Sequence, residues 1–241
     1  MKKLLLLILC MLSLSIWAGN SLFYVIAKSG LNLRTEANTT AKVLATVGYG
    51  DEVTLITPFV SEIKIDGMNG HWCKVMYKNM TGYLVNLYLI PNKVPVGSTE
   101  SINDYFAQVS TVAFKTPVFT NTLGEVTEDE GQTTLQKTLY KNGMEVHEAG
   151  YYEGSGASYY FPNWSTENVF LLLKQINGFK VLNEFSIAFP TVNKVYKKGD
   201  KTVDVKIKDD KINISYEEGA FYEIEIYYKD SQIVVEYSSG V

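Results

Sequence analysis

From residue 202 to residue 237 the chain repeats one pattern four times: a run of six to nine residues in which apolar and polar side chains alternate, closed by a short polar turn. The runs are 202–207, 211–216, 220–228 and 232–237, and the turns are Lys208-Asp209-Asp210, Glu217-Glu218-Gly219 and Lys229-Asp230-Ser231. Side chains along a strand point to opposite faces, so a period of two gives each run one buried and one wetted face. Three residues are too few for a crossover and join antiparallel neighbours only. The stretch therefore predicts an antiparallel meander. With 17 Tyr, 11 Phe and 3 Trp among 241 residues, the whole chain leans the same way, because aromatic side chains favour a pleated surface.

Upstream of the meander one helix is expected, capped by Ser165 or Thr166, with Glu167 complementing its dipole and Gly178 ending it. Its apolar stripe, Val169, Leu172, Leu173 and Ile176, predicts packing onto a sheet. Residues 101–108 predict a further helical turn or two, with Ser101 as cap and Asp104 three residues on. Strands are expected at 111–119 and 135–140, on either side of an acidic loop at 125–130 whose spacing fits no EF-hand. Residues 144–152 and 158–161 read as a hairpin across a flexible Gly154-Ser155-Gly156 turn.

Ahead of residue 91 no stretch has a helical period. Short strands are expected at 24–28, 42–47, 51–58, 63–65, 71–77 and 82–85, with alternation in Val53 and Leu55 and again in Cys73, Val75 and Tyr77. Turns fall at Ser29-Gly30, Gly48-Tyr49-Gly50, Asp66-Gly67 with Asn69-Gly70, and 79–82, each rich in residues that tolerate positive φ. Short strands at this spacing suggest a small barrel. Residues 91–99 carry two Pro and one Gly without periodicity, a linker signature, and the boundary is placed there. Residues 19–97 then carry a net +2 and residues 98–241 a net −8.

The chain begins with Met1, Lys2, Lys3 and a largely apolar run from Leu4 to Trp17, followed by Ala18 and a polar start at Gly19. That is the pattern of a secretory signal peptide over residues 1–18. The run is shorter than the roughly 20 residues a membrane-spanning helix needs, so no stable transmembrane anchor is expected. Cys10 raises the thought of a lipoprotein, but Leu9 before it is bulky and apolar sequence continues past it, which argues against lipidation. Removing residues 1–18 takes two Lys away and moves the net charge from −4 to −6, which disfavours nucleic acid as a partner. It leaves Cys73 as the only thiol, so no intramolecular disulfide can form.

The first half carries a resemblance. Ala27-Lys28-Ser29-Gly30-Leu31-Asn32-Leu33-Arg34, Lys42-Val43-Leu44, Gly50-Asp51-x-Val53, Trp72-x-Lys74-Val75, Gly82-Tyr83-Leu84 and Tyr88-Leu89 resemble the bacterial SH3 (SH3b) domain, in order and at family spacing, over residues 22–91. Two departures fall in loops: Ala37, where the family usually has Pro, and a longer loop from Ser61 to Gly70. The resemblance implies an accessory binding module of exported proteins and cell-wall enzymes, with peptidoglycan or an envelope protein as partner and no catalysis. The fold class expected is mainly β, an SH3-like small β-barrel followed by an α+β, mostly antiparallel sheet domain with one clear helix.

The candidate ligand-contacting aromatics of the module are Tyr49, Trp72, Tyr83 and Tyr88, with core packing as the competing role. In the acidic half six aromatics fall within residues 151–164, of which Tyr151, Tyr159 and Trp164 are the candidates for stacking on a sugar or peptide. Arg34, the chain's single Arg, is expected to pin a loop through hydrogen bonds to carbonyls or a carboxylate. Cys73 shares a strand face with Val75, which predicts a buried thiol and no nucleophile. Glu223 and Glu225 read as a solvated face without the buried neighbour that would raise an acid's pKa. No catalytic residue, metal set or cofactor is indicated. The reading is an exported, periplasmic or extracellular protein that binds cell-wall or envelope components. The alternative is an envelope hydrolase with an unrecognised active site in residues 98–241, targeted by the SH3b module, and a third is a structural interaction protein. Oligomeric state is left open.

Overall fold

The computed structural model describes residues 21–121, 133–151 and 154–240, with residues 121, 133 and 151 described as backbone alone. The expected leader with Cys10, the acidic loop at 125–130 and Tyr152 lie outside the described residues.

Among the described residues the strands form two antiparallel sheets. The first contains β1 (Ser21–Val25), β2 (Leu31–Arg34), β3 (Val43–Val47), β4 (Glu52–Ile65), β5 (Met68–Tyr77), β6 (Met80–Val85) and β7 (Leu89–Ile90), in the order β3-β2-β6-β5-β4-β1-β7. The alternation read from the sequence holds: Val53, Cys73, Val75 and Tyr77 join Val25, Leu33, Val47, Leu84 and Leu89 in one buried cluster. The turn chemistry is equally local. Gly50 adopts φ 78°, and the next residue, Asp51, accepts the Gly48 amide (2.9 Å) and the Tyr77 hydroxyl (2.7 Å) on one carboxylate oxygen. Those bonds, the Tyr77 hydroxyl foremost, hold the Asp51 carboxyl below its ordinary pKa. Arg34 donates to the Ala41 carbonyl at 2.6 Å and so pins the 35–42 loop, the structural role expected of it.

The expectation of a long loop from Ser61 to Gly70 is corrected. β4 and β5 run on through it, with Ile63 opposite Gly70 and Ile65 opposite Met68, and the chain reverses at Asp66-Gly67, both at positive φ. Between Leu55 and Ser61 the register slips twice around Pro58, which has no N–H to offer a neighbour, and the strand bulges there.

The second sheet is ten-stranded: β8 (Val112–Lys115), β9 (Phe119–Asn121), β10 (Thr133–Tyr140), β11 (Glu145–Tyr151), β12 (Gly154–Pro162), β13 (Lys194–Lys198), β14 (Lys201–Lys208), β15 (Lys211–Glu217), β16 (Phe221–Lys229) and β17 (Gln232–Gly240). Its order is β13-β14-β15-β16-β17-β12-β11-β10-β8, with β9 also on β10. The four-run meander is β14 to β17, and β13, which the alternation does not announce, precedes it as a Lys-rich edge. Gly154, Ser155 and Gly156 are not a turn: they pair with Tyr151, Gly150 and Ala149 within the ladder. A Cβ on Gly154 would lie 2.3 Å from the Ser239 carbonyl oxygen, so close strand approach, not turn conformation, requires the glycine.

Among the described residues three α-helices cover the inner face: α1 (Ile102–Val109), α2 (Thr166–Leu173) and the short α3 (Val181–Glu184). Ser101 and Asp104 form a reciprocal capping box on α1, and Ser165 caps α2 through the Asn168 amide. The main core lies between helices and sheet, around Phe106, Phe161, Phe170, Leu172 and Leu173.

That core does not stop at the linker. Ile26, Ile90 and Val94 belong to it. Within 91–101 Val94 and Thr99 are buried, and the Lys93 carbonyl accepts the Tyr105 hydroxyl at 3.0 Å. Gln175, just beyond α2, donates to the Ile26 carbonyl (2.8 Å), and Asn168 on α2 donates to the Leu87 carbonyl (2.7 Å). The two sheets are welded by packing and by hydrogen bonds to the backbone of the first.

Candidate functional site

The sequence-derived candidates fall into three places. Tyr49 is half-buried, its hydroxyl 2.6 Å from Gln175 Oε1 and 3.0 Å from the Pro95 carbonyl, so its polar end fastens one half to the other. Trp72 is 5% exposed and packs with Met68, Val85 and Leu87, while Tyr83 and Tyr88 lie half-buried against the same cluster. Leu171 and Phe189 of the second half close that cluster. Tyr159 and Trp164, each 6% exposed, are in the main core, where Tyr159 meets Phe106 edge-on and Trp164 meets Tyr105 and Phe161. Tyr151 is strand backbone, its side chain lying outside the described residues. These residues do not converge on one surface. Cys73 is fully buried and donates to the Leu84 carbonyl, and burial pushes its thiol up to about 12, so it is no nucleophile at neutral pH.

Trp164 leads to a site that the aromatic count did not identify. An open cavity of about 290 Å³ lies where the two halves meet. Its apolar wall is Phe23, Leu55, Pro58, Phe59 and Leu89 of the first half. The opposite wall is Asn163, Trp164, Ser165 and Asn168 of the second, with Asn86 of the first completing the polar side. Phe59 sits on the β4 bulge, 67% exposed, its ring edge-on to His71 with centroids 4.9 Å apart. On the facing wall β12 ends at Pro162, Asn163 takes a left-handed φ of 65°, and Ser165 starts α2. Trp164 is held between them, and its indole N–H is buried without a hydrogen-bond partner. No charged side chain lines the cavity.

A second depression lies on the outer face of the large sheet. The register aligns Asn213, Glu225, Glu236, Ser158 and His147 across five neighbouring strands. Gly156, Ser158 and Ser238 form a floor of small residues beside Glu223, Glu225, Glu236 and His147, enclosing about 360 Å³. The expectation that Glu225 stands on a freely solvated face is corrected: Lys211 Nζ lies 2.7 Å from it, Asn213 donates to it, and its side chain is 20% exposed. Burial raises its pKa, but the hydrogen bonds from Lys211 and Asn213 and the Lys211 charge outweigh that and hold the carboxyl below its ordinary value. An acid held ionised cannot protonate a leaving group, so Glu225 is not the raised general acid that glycosidase chemistry needs.

The sequence reading missed Phe59, Asn86, Asn163 and Asn168. A signal for Phe59 exists: Phe59-Val60 directly after Pro58 breaks the strand alternation, as a bulge does. The Glu225–Glu236 opposition has no such signal, because it depends on a register that no local residue writes.

Among the described residues no helix is long and apolar enough to cross a membrane, and no group of three or more His, Cys, Asp or Glu is placed to hold a metal ion. Residues 29–90 match the model of the bacterial SH3 domain family, which covers that segment and leaves the rest of the chain unrecognised. Modules of this family commonly bind peptidoglycan and are typically extracellular or periplasmic. Neither the curated proteins nor the solved structures contain a match to this chain.

Proposed function

We propose that this is an exported bacterial protein that binds a cell-wall or envelope component without catalysis. The observation that carries the reading is the match of residues 29–90 to the bacterial SH3 domain. The open, uncharged cavity bordered by that segment supports it, since ligand sites are concave, largely apolar and furnished with a few polar groups. The division at residues 19–97 and 98–241 is kept as one of role, with the acidic part buttressing the module and completing its cavity. The test is retention of the whole protein on purified cell-wall sacculi, followed by analysis of the supernatant. Retention without released fragments is expected. A protein that stays in solution removes the wall-binding reading, and released sugar or peptide fragments replace it with the hydrolase.

A further inference from the structure

The β4–β5 arm stands where this chain departs from the SH3b pattern, and it leaves a strand edge open. β1 lies along residues 52–55 only, so on that side of β4 no strand follows residues 56–65 among the described residues. β5 is their partner on the other side, and no turn or loop backbone bond reaches them. The chain reverses through a two-residue loop, Asp66 at φ 50° and Gly67 at φ 83°, closed by the Ile65–Met68 pair. A pair that closes such a loop exchanges both hydrogen bonds, and bonded and non-bonded pairs alternate from there along the ladder. Ile65, Ile63 and Ser61 therefore direct their backbone groups to β5, whereas Lys64 and Glu62 turn theirs to the open side.

An open edge accepts another strand, and sheets guard against that with charge. β13 does so: Lys194, Lys197 and Lys198, with no acid in the strand, repel a copy of themselves. The β4 edge is charged differently. Glu62 and Lys64 are both exposed, share a face because they stand two residues apart, and carry opposite signs. When the edge pairs antiparallel with itself, residues with outward backbone groups must meet one another, which leaves few registers. Glu62 against Glu62 and Lys64 against Lys64 are repulsive, and Lys64 against Asp66 leaves only the turn in contact. The register with Ile63 on the two-fold axis sets Glu62 against the copy's Lys64 and Lys64 against its Glu62, both as hydrogen-bonded pairs. On the opposite face Ile63 and Ile65 lean on the cluster of Met68, Trp72 and Leu87, and there Ile63 meets its own copy. The copy's turn arrives beside Phe59 and Val60, which a single copy leaves 67% and 43% exposed.

We infer that a second copy of this chain pairs with the β4 edge about a two-fold axis at Ile63, joining two seven-stranded sheets into one. The interface is isologous and closes at two copies. The outward backbone groups of Glu62 and Lys64 and their paired charges make a small contact, which belongs with weak associations. The dimer holds two SH3-like segments side by side, so a repetitive ligand meets two sites at once. The pairing itself is independent of what that ligand is.

The test is sedimentation equilibrium of residues 19–241 over a concentration series. A monomer–dimer equilibrium with a Kd between about 10 μM and 1 mM is expected. Glu62→Lys and Lys64→Glu each set like charges opposite one another and are each expected to weaken it at least about tenfold, while the double variant returns it to within about threefold of the parent. Melting temperatures are expected to stay unchanged, because both side chains are exposed. Crosslinking locates the axis. Non-hydrogen-bonded partners lie about 4.5 Å apart at Cα, within disulfide reach, so Ile63→Cys is expected to give a disulfide dimer on mild oxidation, whereas Ser61→Cys, which faces the copy's Ile65, does not. The native Cys73 is buried and takes no part. A chain that stays monomeric to about 1 mM, association indifferent to the single charge reversals, a double variant that stays dissociated, or crosslinking by Ser61→Cys in place of Ile63→Cys overturns the inference.

Discussion

The two sheets are stabilised by different kinds of residue. In the seven-stranded sheet single side chains do particular jobs at turns: Asp51 ties Gly48 to Tyr77, and Arg34 holds Ala41. In the ten-stranded sheet the inner face is an exchangeable run of Val, Ile and Tyr, and its stability comes from area and ring packing around Phe106 and Phe161. A loop that depends on one guanidinium or one carboxylate fixes residue types at fixed spacing, so such a segment is recognised as a family. A sheet that needs only hydrophobic side chains of suitable size can drift in sequence and keep its architecture. The half that is named by its residues keeps a buried cluster of its own, yet its Ile26, Ile90 and Val94 belong to the main core of the half that is not.

The largest test of that unity is Phe106→Ala. Phe106 is fully buried and meets Tyr140, Tyr159 and Phe161 edge-on, so its truncation is expected to cost about 3–5 kcal/mol. If the core is shared, the fluorescence of Trp72, the one indole left in residues 19–241 carrying Trp164→Phe, reports the same lowered urea midpoint as far-ultraviolet circular dichroism. Two separate transitions would break the comparison into two folding units.

Gln175→Ala is next, at about 2–3 kcal/mol, since it strips partners from the Ile26 carbonyl and the Tyr49 hydroxyl together. Combined with Tyr49→Phe the losses are expected to be less than additive, and strict additivity would show that the pair does not act as one clamp. Arg34→Ala comes third, at about 1.5–2 kcal/mol, because a charge-assisted bond to the Ala41 carbonyl is lost. Faster amide exchange in residues 35–42 would locate its effect, whereas exchange spread over the second sheet would contradict a local role.

The smallest effect carries a pH signature. Asp51 has a lowered pKa in the folded protein, so its contribution is present above the unfolded carboxyl's pKa and lost as pH falls through the folded one. Tyr77→Phe should therefore lower the melting temperature slightly at neutral pH, with the difference closing in acid. A difference that persists at pH 2 would assign it to packing of the ring instead.

Much of this architecture is legible in the residues. The Val53, Cys73 and Val75 alternation, the Ser101/Asp104 box, the Ser165 cap and the four-run meander are local patterns, and each is found where it was expected. What local pattern could not supply is long-range fit. Residues 91–99 have the composition of a linker, yet Val94 is buried, because Pro and Gly report backbone conformation and not what packs beside it. Gly154-Ser155-Gly156 looks like a turn and is a strand, because glycine also serves close strand approach. The cavity joins Phe59 to Trp164, more than a hundred positions apart in sequence, and only the welding of the two halves brings them together.

The bond from Gln175 to the Ile26 carbonyl spans 149 residues, and that distance is also an interval of time. At synthesis rates of about 5–20 residues per second, the partner of the Ile26 carbonyl arrives roughly 7–30 seconds after Ile26 itself. Until then the flank that carries Ile26, Tyr49 and Leu87 has no cover, and a newly made N-terminal sheet is a sticky surface awaiting the second half. A chain built this way cannot finish its beginning before it has made its end, and whatever shields it in the meantime is part of how it reaches the folded state.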